Sequence, residues 1–180
     1  MSLANKLTLA RIVMVPFFLA LVEIPFSHHM TWAAAVFLIA TLTDLLDGYF
    51  ARRQGTVSGF GKIFDPIADK ILVLSAMLPL AVQGRLSVWV VLILVGREFI
   101  VSAVRIQASS QGGTIIAASM LGKVKTVLQD AAIIMMRMEP ELPFLKLWYL
   151  SDTVMAAAVL LTLGSLWDYC YRNRSLFSGL

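Results

Sequence analysis

The chain has 180 residues, 59% of them hydrophobic and 14% charged, and its 15 Lys and Arg against 11 Asp and Glu give a formal net charge of +4. Charged residues fill about a quarter of an ordinary soluble domain, so this composition excludes that class and points to an integral membrane protein that favours an anionic membrane face. A single cysteine, Cys170, excludes an intramolecular disulfide and is assigned no chemistry.

Six apolar segments have spanning length, at residues 12–26, 32–50, 63–82, 88–108, 115–138 and 147–169. No linker is long enough to separate domains and no repeat is present, so residues 1–180 are read as one domain. At the amino end, segment 5–11 (NKLTLAR) is amphipathic and is expected to lie along the membrane interface ahead of a first span that is short on its own, the alternative being that this span continues upstream. Alternatively, Asn5 or Thr8 caps a helix and Arg11 is a basic interface anchor. Glu23 and Pro25 interrupt the first apolar run, and no small-x-small site precedes Ser27, so a cleaved signal peptide is not expected. His28 and His29 are expected in an exposed turn rather than at a metal.

Residues 43–70 place Asp44, Asp47, Asp65 and Asp69 within this apolar chain. On a helix, Asp44, Asp47, Gly48 and Ala51 fall at offsets of three, four and seven and share a face, with Arg52 one turn beyond Gly48. Gly61, Asp65 and Asp69 repeat every four residues on the next helix, and the polar link 54–59 lets the two helices turn back antiparallel so that the acidic faces meet. Carboxylates brought close in a poorly hydrated place repel one another unless a cation neutralises them. An all-oxygen set selects a hard ion, Mg²⁺, Mn²⁺ or Ca²⁺, and a pair of ions would use all four acids. Gly48, Ala51 and Gly61 keep the cleft free of bulk, so that a flat or phosphorylated ligand can approach the backbone. The alternative is helix-end charges that face solvent or pair with Arg52, Arg53 and Lys62. Pro66 requires the second helix to begin or kink beside Asp65. Lys70 points about 100° away from Asp69 and is expected to anchor at the interface.

The fourth segment contains Gly96-Arg97-Glu98 and Arg105. Glu98 and Arg105, seven apart, share a face and can form a structural ion pair, whereas Arg97 adds a positive charge that suits an anionic ligand. In the fifth, Lys123, Thr126 and Asp130 share a face that can frame a phosphate, the alternative being lysines that snorkel. Trp148, Tyr149, Trp167 and Tyr169 mark the two ends of the last segment as interface anchors. The small-residue run Ala156-Ala157-Ala158 can pack another helix within the subunit or across a homodimer.

Basic residues decide orientation. Lys6, Arg11, Arg52, Arg53, Lys62, Arg105, Lys123, Lys125, Arg172 and Arg174 fall at one set of ends, and Arg85, Arg137 and Lys146, with Glu139 and Glu141, at the other. Both termini and the acidic cleft are therefore expected on the cytoplasmic side.

The pattern Asp44-x2-Asp47-Gly48-x2-Ala51-Arg52-x8-Gly61-x3-Asp65-x3-Asp69 resembles, at every fixed position and gap, the signature of the CDP-alcohol phosphatidyltransferase family. Asn5-x2-Thr8-x2-Arg11, Gly96-Arg97-Glu98 and Gly122-Lys123-x-Lys125-Thr126 are similar to elements of the branch that forms phosphatidylglycerophosphate, so the likeness runs from Asn5 through Gln129. With the residue reading, it implies an all-α integral membrane protein with six transmembrane helices, an amino-terminal interfacial helix and a polar catalytic cavity on the cytoplasmic side of a bacterial inner membrane.

The implied reaction moves a phosphatidyl group from CDP-diacylglycerol to glycerol 3-phosphate and releases CMP. The resemblance makes Asp44, Asp47, Asp65 and Asp69 ligands of two Mg²⁺ or Mn²⁺ ions, with Asp69 also the general base. It gives Gly48, Ala51, Arg52 and Gly61, flanked by Asn5 and Thr8, to the cytidine nucleotide. Arg97, Arg105, Lys123 and Lys125 are the candidates for the acceptor's phosphate. Membrane lipids are expected partners and nucleic acid is not. A basic cluster beyond the acids argues against serine as acceptor and leaves inositol phosphate and a lipid glycerol as alternatives. A divalent-cation transporter is the rival from another class. It would want polar groups across the bilayer, and residues 32–40 and 74–82 are nearly free of them.

Overall fold

The computed structural model describes residues 3–54, 59–110, 120–142, 147–172 and 174. Six helices follow one another: α1 (Leu3–Glu23), α2 (His29–Gln54), α3 (Gly59–Val82), α4 (Val88–Ser110), α5 (Met120–Met138) and α6 (Leu147–Arg172). Each matches one apolar segment of the sequence, and no strand occurs among the described residues. Residues 115–119, expected to open the fifth segment, lie outside the described set.

One expectation fails at the amino end. Segment 5–11 is not a separate interfacial helix, because α1 runs unbroken for 21 residues from Leu3. Thr8 and Arg11 are 0% and 1% exposed, so the polar side of this stretch turns into the bundle and the helix continues straight into the apolar run. Thr8 therefore lies inside the helix instead of capping it, and Arg11 is buried instead of reaching for the interface. Similarly, α3 begins at Gly59, well ahead of Pro66, which rules out a helix start at that proline.

α1 packs on α2 and α3, α5 on α6, α2 and α3, and α4 on α6 and α3. Between them lies a core of Phe18, Phe37, Leu72, Met77, Leu94 and Ile133, with the two phenyl rings tilted 5.9 Å apart. A smaller cluster joins Val101 and Val104 of α4 to Tyr169 of α6. Tyr169 is thus a core residue rather than an interface anchor. Its position on α6 faces α4, whereas Tyr149 and Trp167 are exposed as expected. The side chain of Trp148 lies outside the described set.

Large apolar side chains stand on the exterior: Val13, Phe17, Val82, Trp89, Leu92 and Leu160 are all exposed. Water does not favour so extensive an apolar surface. Among the described residues, Tyr149–Tyr171 is the one stretch, 23 residues long, that is by itself long and apolar enough to cross a membrane. The other helices interrupt their apolar runs with ionisable residues, among them Asp69 and Lys70 on α3, Arg97 and Glu98 on α4 and Lys125 on α5.

A polar clasp closes the end of the bundle away from the acidic motif. Gly84 takes a left-handed conformation (φ 70°), its N–H bonds the Ala81 carbonyl at 3.0 Å and the Arg85 N–H bonds the Leu80 carbonyl at 2.9 Å. These two bonds close the end of α3, and a side chain at position 84 would strain the turn. Just past it, Arg85 donates from Nε to Glu139 Oε2 at 2.6 Å and from a terminal nitrogen to Glu139 Oε1 at 2.8 Å. Its guanidinium also reaches Asp152 at 2.7 Å and Ser151 at 2.8 Å. Glu141 accepts from the backbone N–H groups of Met30 and Thr31 at 2.7 and 3.2 Å, tying α5 to the start of α2.

Arg137, 1% exposed, donates to the Ala76 carbonyl at 2.9 Å and lies 5.9 Å from the centre of the Phe18 ring. Of the two histidines, His28 is exposed beside Glu141, and His29 Nδ1 lies 3.1 Å from the Leu21 carbonyl oxygen.

Burial alone would raise the Glu139 carboxyl, but hydrogen bonds from Arg85 and Ser151 outweigh it and hold it below the usual carboxylate range. A carboxylate with a depressed pKa adds stability that is full above its unfolded value, about 4.3, and is lost as pH falls through the folded one. Arg85→Met should therefore destabilise the protein by about 3 kcal/mol at neutral pH, seen as a lower thermal midpoint in detergent. The difference from wild type should shrink on acidification below that range. A variant as stable as wild type at pH 7 would show that the clasp carries no weight.

Candidate functional site

The acidic motif spans two consecutive helices. α2 carries Asp44, Asp47, Gly48, Ala51 and Arg52 in its last three turns, and α3 carries Gly61, Asp65 and Asp69 in its first three. The link expected at 54–59 falls where α2 ends and α3 begins. The side chains at positions 44–66, and those of Asn5 and Arg105, lie outside the described set. Among the described residues no group of three or more acids, histidines or cysteines comes together. Asp69 is the one member of the acidic motif whose surroundings are described.

Asp69 is half-buried and lines a cleft between α3, α4 and α5. Its polar lining is Asp69, Lys70, Glu98, Lys125, Thr126 and Gln129, set against the apolar side chains of Leu74, Met77 and Leu94. Lys70, expected to anchor at the interface, finds partners on another helix. Its Nζ donates to Ser102 Oγ at 2.6 Å and lies 5.7 Å from the centre of the Phe99 ring. A half-buried ammonium is stabilised by a hydroxyl and an aromatic face, and here it joins α3 to α4.

The strongest electrostatic feature of the cleft is shared by two cations. Glu98 Oε1 accepts from Lys125 Nζ at 2.7 Å and from Arg97 at 2.9 Å. Arg97 reaches on to Ser165 Oγ of α6 at 3.3 Å. Lys125 and Arg97 are buried, at 2% and 9% exposure. The described partners of Glu98 are its chain neighbour Arg97 and Lys125 of α5, and the alternative pair with Arg105 lies outside the described residues. Two cations and one carboxylate leave a net charge of +1 (2 − 1) in apolar surroundings, which an anion in the cleft would balance.

The four basic candidates therefore separate. Lys125 lines the cleft, Arg97 stands one link behind it through Glu98, and Lys123 is exposed. The face that α5 turns to the cleft is Lys125, Thr126 and Gln129, not the Lys123, Thr126 and Asp130 face expected from spacing. Packing of α5 against α3 fixes this rotation, and spacing alone does not. The Thr126 hydroxyl bonds the Gly122 carbonyl of its own helix at 3.1 Å. At the amino end of α1, buried Thr8 and Arg11 sit on the helix that packs against α2 and α3. Sequence reasoning gave no role to Gln129, whose signal was an amide one turn after Lys125.

Comparison with known proteins adds family context. The CDP-alcohol phosphatidyltransferase family model matches residues 1–164. A Bacillus subtilis protein named CDP-diacylglycerol–glycerol-3-phosphate 3-phosphatidyltransferase is 36% identical, over 96% of this chain and 95% of its own. A Mycobacterium tuberculosis protein named probable phosphatidylglycerophosphate synthase is 40% identical, over 95% of this chain and 81% of its own. A Salmonella typhimurium protein with the same name as that of B. subtilis is 36% identical, over 93% of this chain and 92% of its own.

If Glu98 is what holds Lys125 and Arg97 together, removing its charge leaves two buried cations without a counter-ion. Glu98→Gln should destabilise the protein by on the order of 3 kcal/mol, read as a lower thermal midpoint. Adding Lys125→Met should recover part of that loss. Strictly additive losses would show that the two side chains are not coupled.

Proposed function

The chain belongs to the CDP-alcohol phosphatidyltransferase family, and from that premise we propose that it transfers a phosphatidyl group from CDP-diacylglycerol to glycerol 3-phosphate, with release of CMP. The observation that carries the choice of acceptor is the surplus positive charge of Arg97, Glu98 and Lys125 in the cleft that Asp69 also lines. A phosphorylated acceptor balances that charge, and serine does not. Between phosphorylated acceptors, glycerol 3-phosphate is favoured because it stands in the names of two of the relatives.

All six helices span the membrane of a bacterial cell in this reading. Lengths of 19 to 26 residues give roughly 29–39 Å at 1.5 Å per residue, enough for a hydrocarbon core of about 30 Å. The bias of basic residues puts both termini and the acidic ends of α2 and α3 in the cytoplasm, where CMP leaves and glycerol 3-phosphate arrives. The lipid tails stay in the bilayer and enter the cleft between helices.

Asp44, Asp47, Asp65 and Asp69 are an all-oxygen donor set suited to two Mg²⁺ or Mn²⁺ ions. When bound, such ions supply neutralisation of charge on the pyrophosphate and on the departing CMP. Asp69 takes the proton from the attacking hydroxyl of the acceptor as its oxygen bonds to the phosphatidyl phosphorus and the pyrophosphate bridge breaks. Gly48, Ala51, Arg52 and Gly61, with Asn5 and Thr8 of α1, hold the cytidine nucleotide. Lys125 holds the acceptor's phosphate, with Arg97, Arg105 and Lys123 supporting it by charge.

CMP release from CDP-diacylglycerol in detergent tests this directly. Glycerol 3-phosphate should support release in the presence of Mg²⁺, and serine and inositol phosphate should not. A chelator should abolish it, and Asp69→Asn should slow it by about 10²-fold or more. Lys125→Met should raise KM for glycerol 3-phosphate about tenfold and leave that for CDP-diacylglycerol unchanged. Faster release with another alcohol would overturn the acceptor, and an active Asp69→Asn would overturn the base.

A further inference from the structure

Gln129 is a polar side chain of the cleft to which the proposed reaction gives no task. It is 3% exposed and lines the cleft one turn along α5 from Lys125. Its Oε1 is buried with no hydrogen-bond partner among the described residues. The neighbouring polar groups are satisfied: Lys125 by Glu98, Thr126 by Gly122 and Lys70 by Ser102. A buried amide oxygen without a partner is costly and calls for a specific explanation. Lining a cleft, it is accounted for by a ligand that donates to it.

The chemistry of that donor follows from position. Lys125 and Gln129 are about 6 Å apart along the helix axis, close to the reach of a three-carbon phosphate from its phosphorus to its hydroxyls. Asp69 lines the same cleft from α3. An acceptor with its phosphate at Lys125 therefore extends its carbon chain towards Gln129 and Asp69. A carboxamide is neutral, so it can accept a hydrogen bond from a hydroxyl but cannot remove the proton. It suits the hydroxyl that must be held and must not react.

Resting on the reaction proposed above, we infer that Gln129 is a specificity-determining residue: it accepts a hydrogen bond from the acceptor's non-attacking hydroxyl, so that the cleft selects a polyol phosphate over an alkyl phosphate with a single hydroxyl. The second hydroxyl of a glycerol phosphate is thereby kept away from Asp69.

The probe is 3-hydroxypropyl phosphate, which is glycerol 3-phosphate without its middle hydroxyl. Wild-type protein in detergent should use glycerol 3-phosphate at least about tenfold better in kcat/KM. Gln129→Met, similar in volume but without the amide, should bring the two acceptors to within about twofold by lowering the rate with glycerol 3-phosphate alone. KM for CDP-diacylglycerol should not move. A preference that survives in Gln129→Met, or a wild type that does not discriminate, overturns the role of Gln129 and leaves the reaction standing. No turnover by wild type with either acceptor overturns the reaction and this inference with it. If Gln129→Met does not fold, Gln129→Asn, with its amide withdrawn by one methylene, decides the matter: a reduced preference supports the role, and a full one overturns it.

Discussion

In a bundle this apolar, each ionised side chain has to meet a partner, and where it does so fixes how the helices sit. The carboxylate of Glu98 is the clearest case. One of its oxygens holds both Arg97 and Lys125, so the position of α4 relative to α5 is set by a contact that apolar packing could not specify. Arg97 extends the link to α6 through Ser165, and Lys70 extends it to α3 through Ser102. The walls of the cleft are the helices joined by these charges.

The same requirement organises the opposite end for a different purpose. There Arg85 meets both Glu139 and Asp152, so its positive charge is fully met, and it ties the α3–α4 turn to α5 and α6. The Glu98 cluster keeps a surplus positive charge and faces open volume. One end joins its helices through an arginine held between two carboxylates. The other carries two cations on one carboxylate, the surplus on which the proposed acceptor site rests.

The positions of the helices were legible in the sequence because long apolar runs, broken by short polar links, leave little choice in where a helix lies. The rotation of each helix was less so. Tyr169 looked like an interface aromatic and packs against Val101 and Val104. Lys70 looked like an anchor and bonds Ser102. The α5 face named from spacing is replaced by one rotated towards Lys125 and Gln129. In each case the deciding partner comes from another helix, which local periodicity cannot identify. The amino-terminal segment misled for a related reason: its polar side suits a membrane surface and suits an interior equally well, and here Thr8 and Arg11 are buried in the bundle. The Arg85 clasp left a partial trace: Arg85, Glu139 and Glu141 stand out in the loop charges, where they bear on orientation, and Asp152 within the last apolar segment gives no such signal.

The acidic motif differs in being recognisable as a pattern of residue types at fixed spacing, independent of rotation. By the reaction proposed for it, the cleft joins a water-soluble phosphate to a lipid. The most direct measurement supplies radiolabelled glycerol 3-phosphate to the protein in vesicles containing CDP-diacylglycerol and Mg²⁺, then counts label extracted into organic solvent against CMP released. One label in the lipid for each CMP is the predicted result. CMP released without label in the lipid would mean that water is the acceptor, and it would contradict the account.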